Sequence, residues 1–189
     1  MSVDYCVIRV APSTFQQLQG ESRVLHDLMD AFYSASRSQD SSQEVHSIDA
    51  RDLYRGLRLG VPPVLRLLYV DEFTTSLLVD FRDESSALFA ALVGWGTAHI
   101  LMGISYGYGE VNYYTPEDVR QIALQLLHYP GELLEARFSE YADTFRMGSS
   151  AYFTDDQAIL EHQRSFAALL RRLYEEAAQD GDFVLLLTV

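Results

Sequence analysis

The sequence predicts an α+β fold, in which a small mixed or antiparallel sheet with N-terminal, middle and C-terminal strands packs with several helices, the last of them long. Three observations predict it. β-like runs occur near both ends and in the middle, segments of helical periodicity outnumber them, and the two kinds do not alternate strictly. The chain has 189 residues, of which 48% are hydrophobic. This length and composition favour one domain over residues 1–189.

The N-terminal part is predicted to be one strand followed by helices. Asp4–Val10 is rich in β-formers, and its alternation separates an apolar face from a mixed one: Cys6, Ile8 and Val10, then Tyr5, Val7 and Arg9. Cys6 is the only cysteine, and we expect it to be a small buried hydrophobe. Helices are predicted over Pro12–Leu18, Glu21–Ser36 and Asp49–Leu57, with a polar loop at Ser38–Glu44.

The middle of the chain has weaker patterns. Val64–Val70 is a short apolar run that fits a helix or a strand. Asp71–Phe81 is equally ambiguous but favours a strand, because it contains β-branched Thr and Val residues. A short helix is predicted over Ser85–Val93, and Ala98–Ser105 is predicted to be extended.

The clearest junction between a strand and a helix comes next. Glu110–Tyr114 is a short β-like run, and Thr115 can cap the following helix with its side-chain oxygen. Pro116 suits the first helical position, and two acidic residues then meet the positive end of the helix dipole. The helix is predicted to bury one apolar face: Val119, Ile122, Ala123, Leu126 and Leu127.

The C-terminal part is predicted to be helical until its last strand. Pro130-Gly131 separates the preceding helix from another that holds Leu133, Leu134 and Phe138, and Gly148–Phe153 is predicted to be a loop. The longest helix is predicted over Asp155–Gln179, with Gly181 just past its end. Phe183–Thr188 is continuously apolar, which predicts a central, buried strand.

Several of these segments together resemble the YfbM-like family of bacterial proteins, a domain of unknown function. The segments are Tyr5–Gln17, Gly107–Leu127, Glu132–Phe138, Tyr174–Gly181 with the long helix before it, and Asp49 with Tyr54–Leu57. Pro62–Asp83 has the character of an insertion, and Ala151–Thr154 replaces the family's Tyr-Pro-then-Trp segment. The resemblance implies an α+β fold and no activity, because the family has no established catalytic residues to carry over.

The charge and the residue types restrict the function. The formal net charge is −13, which disfavours nucleic acid and anionic membranes as partners and suits a basic protein. The chain contains no Lys, so Schiff-base, pyridoxal-phosphate and Walker A lysines are excluded. No two histidines have the close spacing of a metal site. We expect a cytoplasmic protein, because no signal peptide or membrane span is evident. We also expect no cofactor and no metal.

One motif predicts an enzyme. Gly103-Ile104-Ser105-Tyr106-Gly107 matches the Gly-x-Ser-x-Gly pattern of α/β-hydrolases, in which a sharp strand-to-helix turn exposes a nucleophilic Ser to a His base. His128 or His162 would have to be that base. However, the residues after Ser105 are rich in Gly and Tyr and lead into a strand, which favours a Gly-rich loop.

A second set of residues predicts a binding surface. The candidate binding residues are Trp95, Tyr106, Tyr108, Tyr113, Tyr114 and Glu110. Tyr and Trp bring large contact areas with little loss of side-chain entropy, and the acidic neighbours suit a basic partner. The alternative is that the tyrosines pack in the core with their hydroxyl groups outward.

The leading hypothesis is therefore a non-enzymatic interaction protein, in one version an immunity-like protein that neutralises a basic toxin or effector. A serine hydrolase that uses Ser105 is the alternative. A small-ligand pocket beside the Gly107–Thr115 strand is the third hypothesis.

Overall fold

The computed structural model describes residues 4–21, 23–27, 29, 64–83, 85–149 and 155–189. The strands are β1 (Tyr5–Val10), β2 (Val64–Val70), β3 (His99–Tyr106), β4 (Gly109–Tyr114) and β5 (Phe183–Thr188). The helices are α1 (Pro12–Gly20), α2 (Glu72–Leu78), α3 (Ala87–Leu92), α4 (Pro116–Leu127), α5 (Gly131–Ser149) and α6 (Asp156–Asp180). Residues 23–27 and 29 are also helical and belong to the helix predicted over Glu21–Ser36, most of which lies outside the described residues. The loop predicted at Ser38–Glu44 and the helix predicted at Asp49–Leu57 lie wholly outside them.

The strands form an antiparallel sheet in the order β2-β1-β5-β4-β3. The predicted α+β fold is confirmed. β5 lies in the middle of the sheet, as its continuous apolar run predicted, and its four inner residues are buried. β2 settles the ambiguity of Val64–Val70 in favour of a strand at one edge. β3 forms the other edge among the described strands.

Both faces of the sheet are covered by helices. On one face, Tyr5 and Val7 of β1 belong to a core built with α3, α4 and α6. On the other face, Cys6 and Ile8 join α1 and Leu25 in a second core. The two predicted faces of β1 are therefore confirmed. Cys6 is completely buried, and burial raises the pKa of its thiol to about 12.

The segment after β2 contradicts the sequence prediction. Asp71–Phe81 was predicted to lean towards a strand, but Glu72–Leu78 forms α2. The Asp71 carboxylate accepts a hydrogen bond from the Thr74 backbone N–H at 2.6 Å, so this residue is a helix cap. The two threonines are buried against other helices, and these tertiary contacts prevail over their preference for strands.

Side chains from α5 and α6 satisfy the free carbonyl groups at the end of α2. The Arg137 guanidinium donates to the backbone oxygens of Ser76 and Val79. The buried Gln163 amide donates to the Leu77 oxygen at 2.6 Å and to the Leu134 oxygen at 3.1 Å. Because the last carbonyl groups of a helix have no partner within it, these bonds fix a short helix between two longer ones.

The helix after Thr115 begins as predicted. Thr115 and Asp118 form a capping box, in which each side chain accepts a hydrogen bond from the other residue's backbone N–H. Two details differ. Leu127 is 51% exposed rather than buried, because it follows the last packed position of the helix. Gly148 and Ser149 belong to α5 rather than to the predicted loop, while residues 150–154 of that loop lie outside the described residues.

α6 ends as predicted, with Gly181 in the left-handed conformation at φ 69°. Beside this end lies the buried side chain of Arg9, which comes from β1. It contacts three carboxylates: that of Asp182 at 2.6 Å, that of Glu176 at 3.1 Å and that of Asp180. Burial raises the pKa of Asp182, and Arg9 offsets only part of this effect.

None of the described helices is long and apolar enough to cross a membrane.

Candidate functional site

The structure separates the aromatic residues that the sequence grouped as a binding surface. Tyr114 is only 2% exposed and belongs to the core between the sheet and α4. Its hydroxyl group donates to the Ala90 oxygen at 3.0 Å and lies 2.7 Å from Thr97 Oγ1. Burial raises the pKa of this phenol. Tyr114 therefore contributes to packing and presents no surface to a partner.

Two further tyrosines lie on the face that α1 covers. The Tyr113 ring packs on Phe15 of α1, with ring centroids 4.9 Å apart, and on His99, at 5.2 Å. The Tyr106 ring lies 5.3 Å from that of His26. Both tyrosines are partly buried against the second core. Adjacent residues of a strand point to opposite faces, which explains why Tyr113 and Tyr114 are separated.

The opposite face of the β3–β4 hairpin is covered at Tyr114 but carries exposed residues elsewhere. Ile100 pairs with Asn112 and Ser105 pairs with Glu110, and directly paired residues of an antiparallel ladder share a face. Ile100 is 49% exposed, and Ser105 and Glu110 are exposed as well. Among the described residues Glu110 has no ion-pair partner, whereas His99 and Arg120 lie beside the two acidic residues that begin α4. Glu110 is thus an acidic group of the hairpin whose charge is not neutralised locally.

Trp95 lies on this same side of the sheet. The turn that carries it packs on β5, because a Cβ atom on Gly94 would overlap the Leu186 side chain. Leu186 pairs with Asn112 of β4, so the turn borders the same face of the hairpin. The Trp95 ring is 54% exposed and lies 6.5 Å from that of Phe81, which is also exposed. The turn that carries Trp95 therefore lies on the side of the sheet that Ile100 and Glu110 face.

The tip of the hairpin is fixed to the end of β5. The Tyr108 backbone N–H donates to the Thr188 oxygen at 3.1 Å, and a Cβ atom on Gly107 would overlap that same oxygen. The Tyr108 side chain is 67% exposed. An anchored backbone with an exposed aromatic ring is typical of a binding residue that is already in position.

Sequence reasoning missed two exposed apolar residues. Ile100 and Met102 belong to Ala98–Ser105, which was predicted only to be extended, and Met102 is 82% exposed. Gly103 within this segment indicates the reason, because an isolated Gly in a strand often marks a bulge. We call Trp95, Ile100, Met102, Tyr108 and Glu110 together the hairpin surface.

Ser105 lies in a setting unlike that of a hydrolase nucleophile. It is followed by one more residue of β3 and then by the Gly107-Tyr108 turn into β4, so no helix begins after it. In the described part of the chain no hydrogen bond joins Ser105 to a histidine, and His162 is bonded to Thr74 of α2 at 2.9 Å. The strand-to-helix turn that exposes such a nucleophile is absent at this position.

Two shallow cavities lie elsewhere, with volumes of about 210 and 220 Å³. Both are lined by Tyr129, the first together with Arg164 and Arg171 and the second with Asp80 and Arg137. Each is smaller than the roughly 300–1,000 Å³ of most ligand pockets, and neither is lined by the Gly107–Thr115 strand. Within the described ranges no group of three acidic, His or Cys side chains is placed to hold a metal ion.

Comparison with known proteins identifies the fold. The crystal structure of YfbM from Escherichia coli, a protein of unknown function, matches over 100% of both chains with a TM-score of 0.52 and 16% sequence identity. No family model and no curated protein matches the chain. The chain therefore has a YfbM-like fold, as the resemblance implied. A likeness at this identity extends to the fold alone, and function has to be argued from the site.

Proposed function

We propose that the protein is a non-enzymatic cytoplasmic binding protein that recognises a basic protein through the hairpin surface. The observation that carries this proposal is the concentration of exposed apolar side chains on one hairpin and the turn beside it. Trp95, Met102 and Tyr108 are each more than half exposed. Large exposed side chains of this kind, with polar neighbours, are typical of sites of protein interaction.

The charge of the chain supports a basic partner. A net charge of −13 attracts a cationic protein and increases its association rate at low salt. Glu117 and Asp118 near the hairpin already pair with Arg120 and His99. A basic side chain of the partner can therefore pair with Glu110 without breaking an existing ion pair among the described residues. One form of this function is immunity-like, in which the protein neutralises a basic toxin or effector by covering its surface.

The geometry gives less support to the hydrolase alternative. Ser105 is exposed, but the described residues place neither a helix after it nor a histidine within hydrogen-bond distance. A fluorophosphonate probe tests this alternative directly. A covalent adduct on Ser105 of the folded protein would restore the hydrolase hypothesis, and no adduct is expected.

A pull-down from native lysate tests the proposed function. The wild-type protein is expected to retain a basic protein at low salt and to lose it as salt is raised, because screening weakens exposed charge pairs. Glu110→Arg reverses the charge on the hairpin surface and is expected to weaken retention about tenfold, by removing one attractive contact and adding repulsion.

Glu132→Arg is the matched control. Glu132 is exposed in the first turn of α5, and its replacement changes the net charge by the same amount. The control is expected to retain the partner almost as well as the wild-type protein does. Equal losses in both variants would mean that net charge alone attracts the protein, and recovery of nothing by the wild type at low salt would overturn the proposal.

A further inference from the structure

The β3 edge contains a large bulge. Between the pairs Ile100–Asn112 and Ser105–Glu110, β3 has four residues, 101–104, whereas β4 has one, Val111. Three residues of β3 are therefore in excess over a regular ladder. Gly103 lies within this excess with φ 78°, in the left-handed region that other residues rarely adopt. A bulge of this size interrupts the regular backbone hydrogen-bonding pattern at the outer edge of the sheet.

The bulge also determines which side chains are exposed. Leu101 and Ile104 are both 5% exposed and fill the core beneath the sheet, so both ends of the bulge are held by packing. Met102 lies between them and is 82% exposed. The backbone on either side of Met102 is therefore fixed, while its flexible thioether side chain projects into solvent at the sheet edge.

This geometry favours insertion of a side chain over addition of a strand. Bulges at sheet edges obstruct pairing with another strand and re-aim individual side chains. We infer that Met102, supported by Ile100, is the apolar anchor of the hairpin surface, and that the partner is a basic protein with an apolar cavity bordered by cationic side chains. Glu110, on the exposed face of the same hairpin, would meet that cationic border. This inference rests on the proposed function.

Titrations of Met102 variants test the anchor. The probe is the basic protein recovered by the wild type, identified by mass spectrometry and purified, and its affinity is measured by calorimetry. Met102→Ala is expected to weaken binding at least about tenfold, because the buried side chain is lost, and Met102→Leu is expected to stay within about threefold of wild type. Leu124→Ala is the matched control, because Leu124 is 58% exposed on α4 and is expected to have no effect.

The possible outcomes distinguish the role of Met102 as an anchor from the proposed binding of a basic protein. Unchanged affinity in Met102→Ala together with weaker binding in Glu110→Arg would overturn the anchor and leave the proposed function intact. A wild type that recovers no basic protein would overturn both. Sedimentation equilibrium of the protein alone provides a further check. If the wild type is a dimer and Met102→Ala is a monomer, then Met102 contacts a second copy of this chain rather than a basic protein, and the inference is overturned.

Discussion

Gly103 and Gly107 have similar backbone conformations in different surroundings. Both have positive φ, 78° and 59°, and both lie in the β3–β4 hairpin. A Cβ atom on Gly103 would meet no atom within 4 Å, whereas one on Gly107 would overlap the backbone oxygen of Thr188. The first glycine is needed for its conformation alone, and the second also for the close approach of two backbones.

Substitution of the two glycines separates these effects. Gly103→Ala is expected to cost about 1 kcal/mol, the usual cost of a left-handed non-glycine residue, because no clash accompanies it. Gly107→Ala is expected to cost about 2–4 kcal/mol, because the hairpin tip must also move away from β5. Urea unfolding of the two variants measures the difference. Equal destabilisation would contradict the contact between the hairpin tip and Thr188.

At the residue scale the sequence identified part of the candidate site. Trp95, Tyr108 and Glu110 could be proposed because aromatic and acidic residues stand in a Gly-rich stretch. Tyr113 and Tyr114 could not be sorted, because one of two adjacent strand residues must face each side and the sequence does not show which side has open space. Met102 could not be found, since its exposure depends on the register of the bulge.

At the element scale, Arg9 contacts three carboxylates at and just after the end of α6 and offsets part of their negative charge. The C-terminus of a helix carries partial negative charge, so the acidic side chains there oppose one another and the dipole. The Arg9 side chain, only 4% exposed, links this end of α6 to β1 and β5. Removal of one partner from a buried ion pair leaves an uncompensated buried charge.

Arg9→Gln is therefore expected to destabilise the protein by about 3–5 kcal/mol. Without the cation the pKa of Asp182, already raised by burial, rises further. A raised pKa in the folded state means that the folded protein binds the proton more tightly, so stability increases as pH falls. The variant is expected to recover part of its lost stability between pH 7 and pH 5, as thermal unfolding at both values would measure.

Arg172→Gln provides the control for this prediction. Arg172 bonds Glu176 at 2.9 Å but is 65% exposed, so its loss is expected to cost less than about 1 kcal/mol. A similar cost for both substitutions, or a further loss of stability of the Arg9 variant in mild acid, would contradict the role assigned to the buried cation.

Element prediction from sequence succeeded where local chemistry and periodicity agree. Thr115-Pro116-Glu117-Asp118 begins α4 because every residue serves a helix start. α2 was misread because its two threonines and the Val79 that follows it favour strands, while the hydrogen bond at its cap and its bonds from Arg137 become visible only in three dimensions.

At the scale of the whole molecule, the sheet is expected to be most stable at its centre. β5 is bonded to strands on both sides and its inner residues are almost fully buried, whereas β3 is an edge strand interrupted by a bulge. Amide hydrogen exchange is expected to be at least about a hundredfold slower in Val184–Leu187 than in Met102–Gly103, because the amides of the central strand exchange only when the sheet opens. Comparable rates in the two segments would contradict this strand order.

The fold class and the central position of β5 could be predicted, because a continuous apolar strand has to be buried on both faces. The order of the other strands could not, since pairing between distant segments leaves no local pattern. The pairs between Tyr5 and Thr188 join residues almost a whole chain apart.

This strand order has a consequence for protein synthesis. β5 is made after the other four described strands, yet it lies between β1 and β4 and joins the two halves of the sheet. Until β5 leaves the ribosome, β1 with β2 and β3 with β4 can form only two separate antiparallel pairs, each with an open edge where β5 will bind. The nascent chain therefore exposes apolar strand edges until β5 is made, and a chaperone that binds extended apolar segments would reduce its misassembly during that interval.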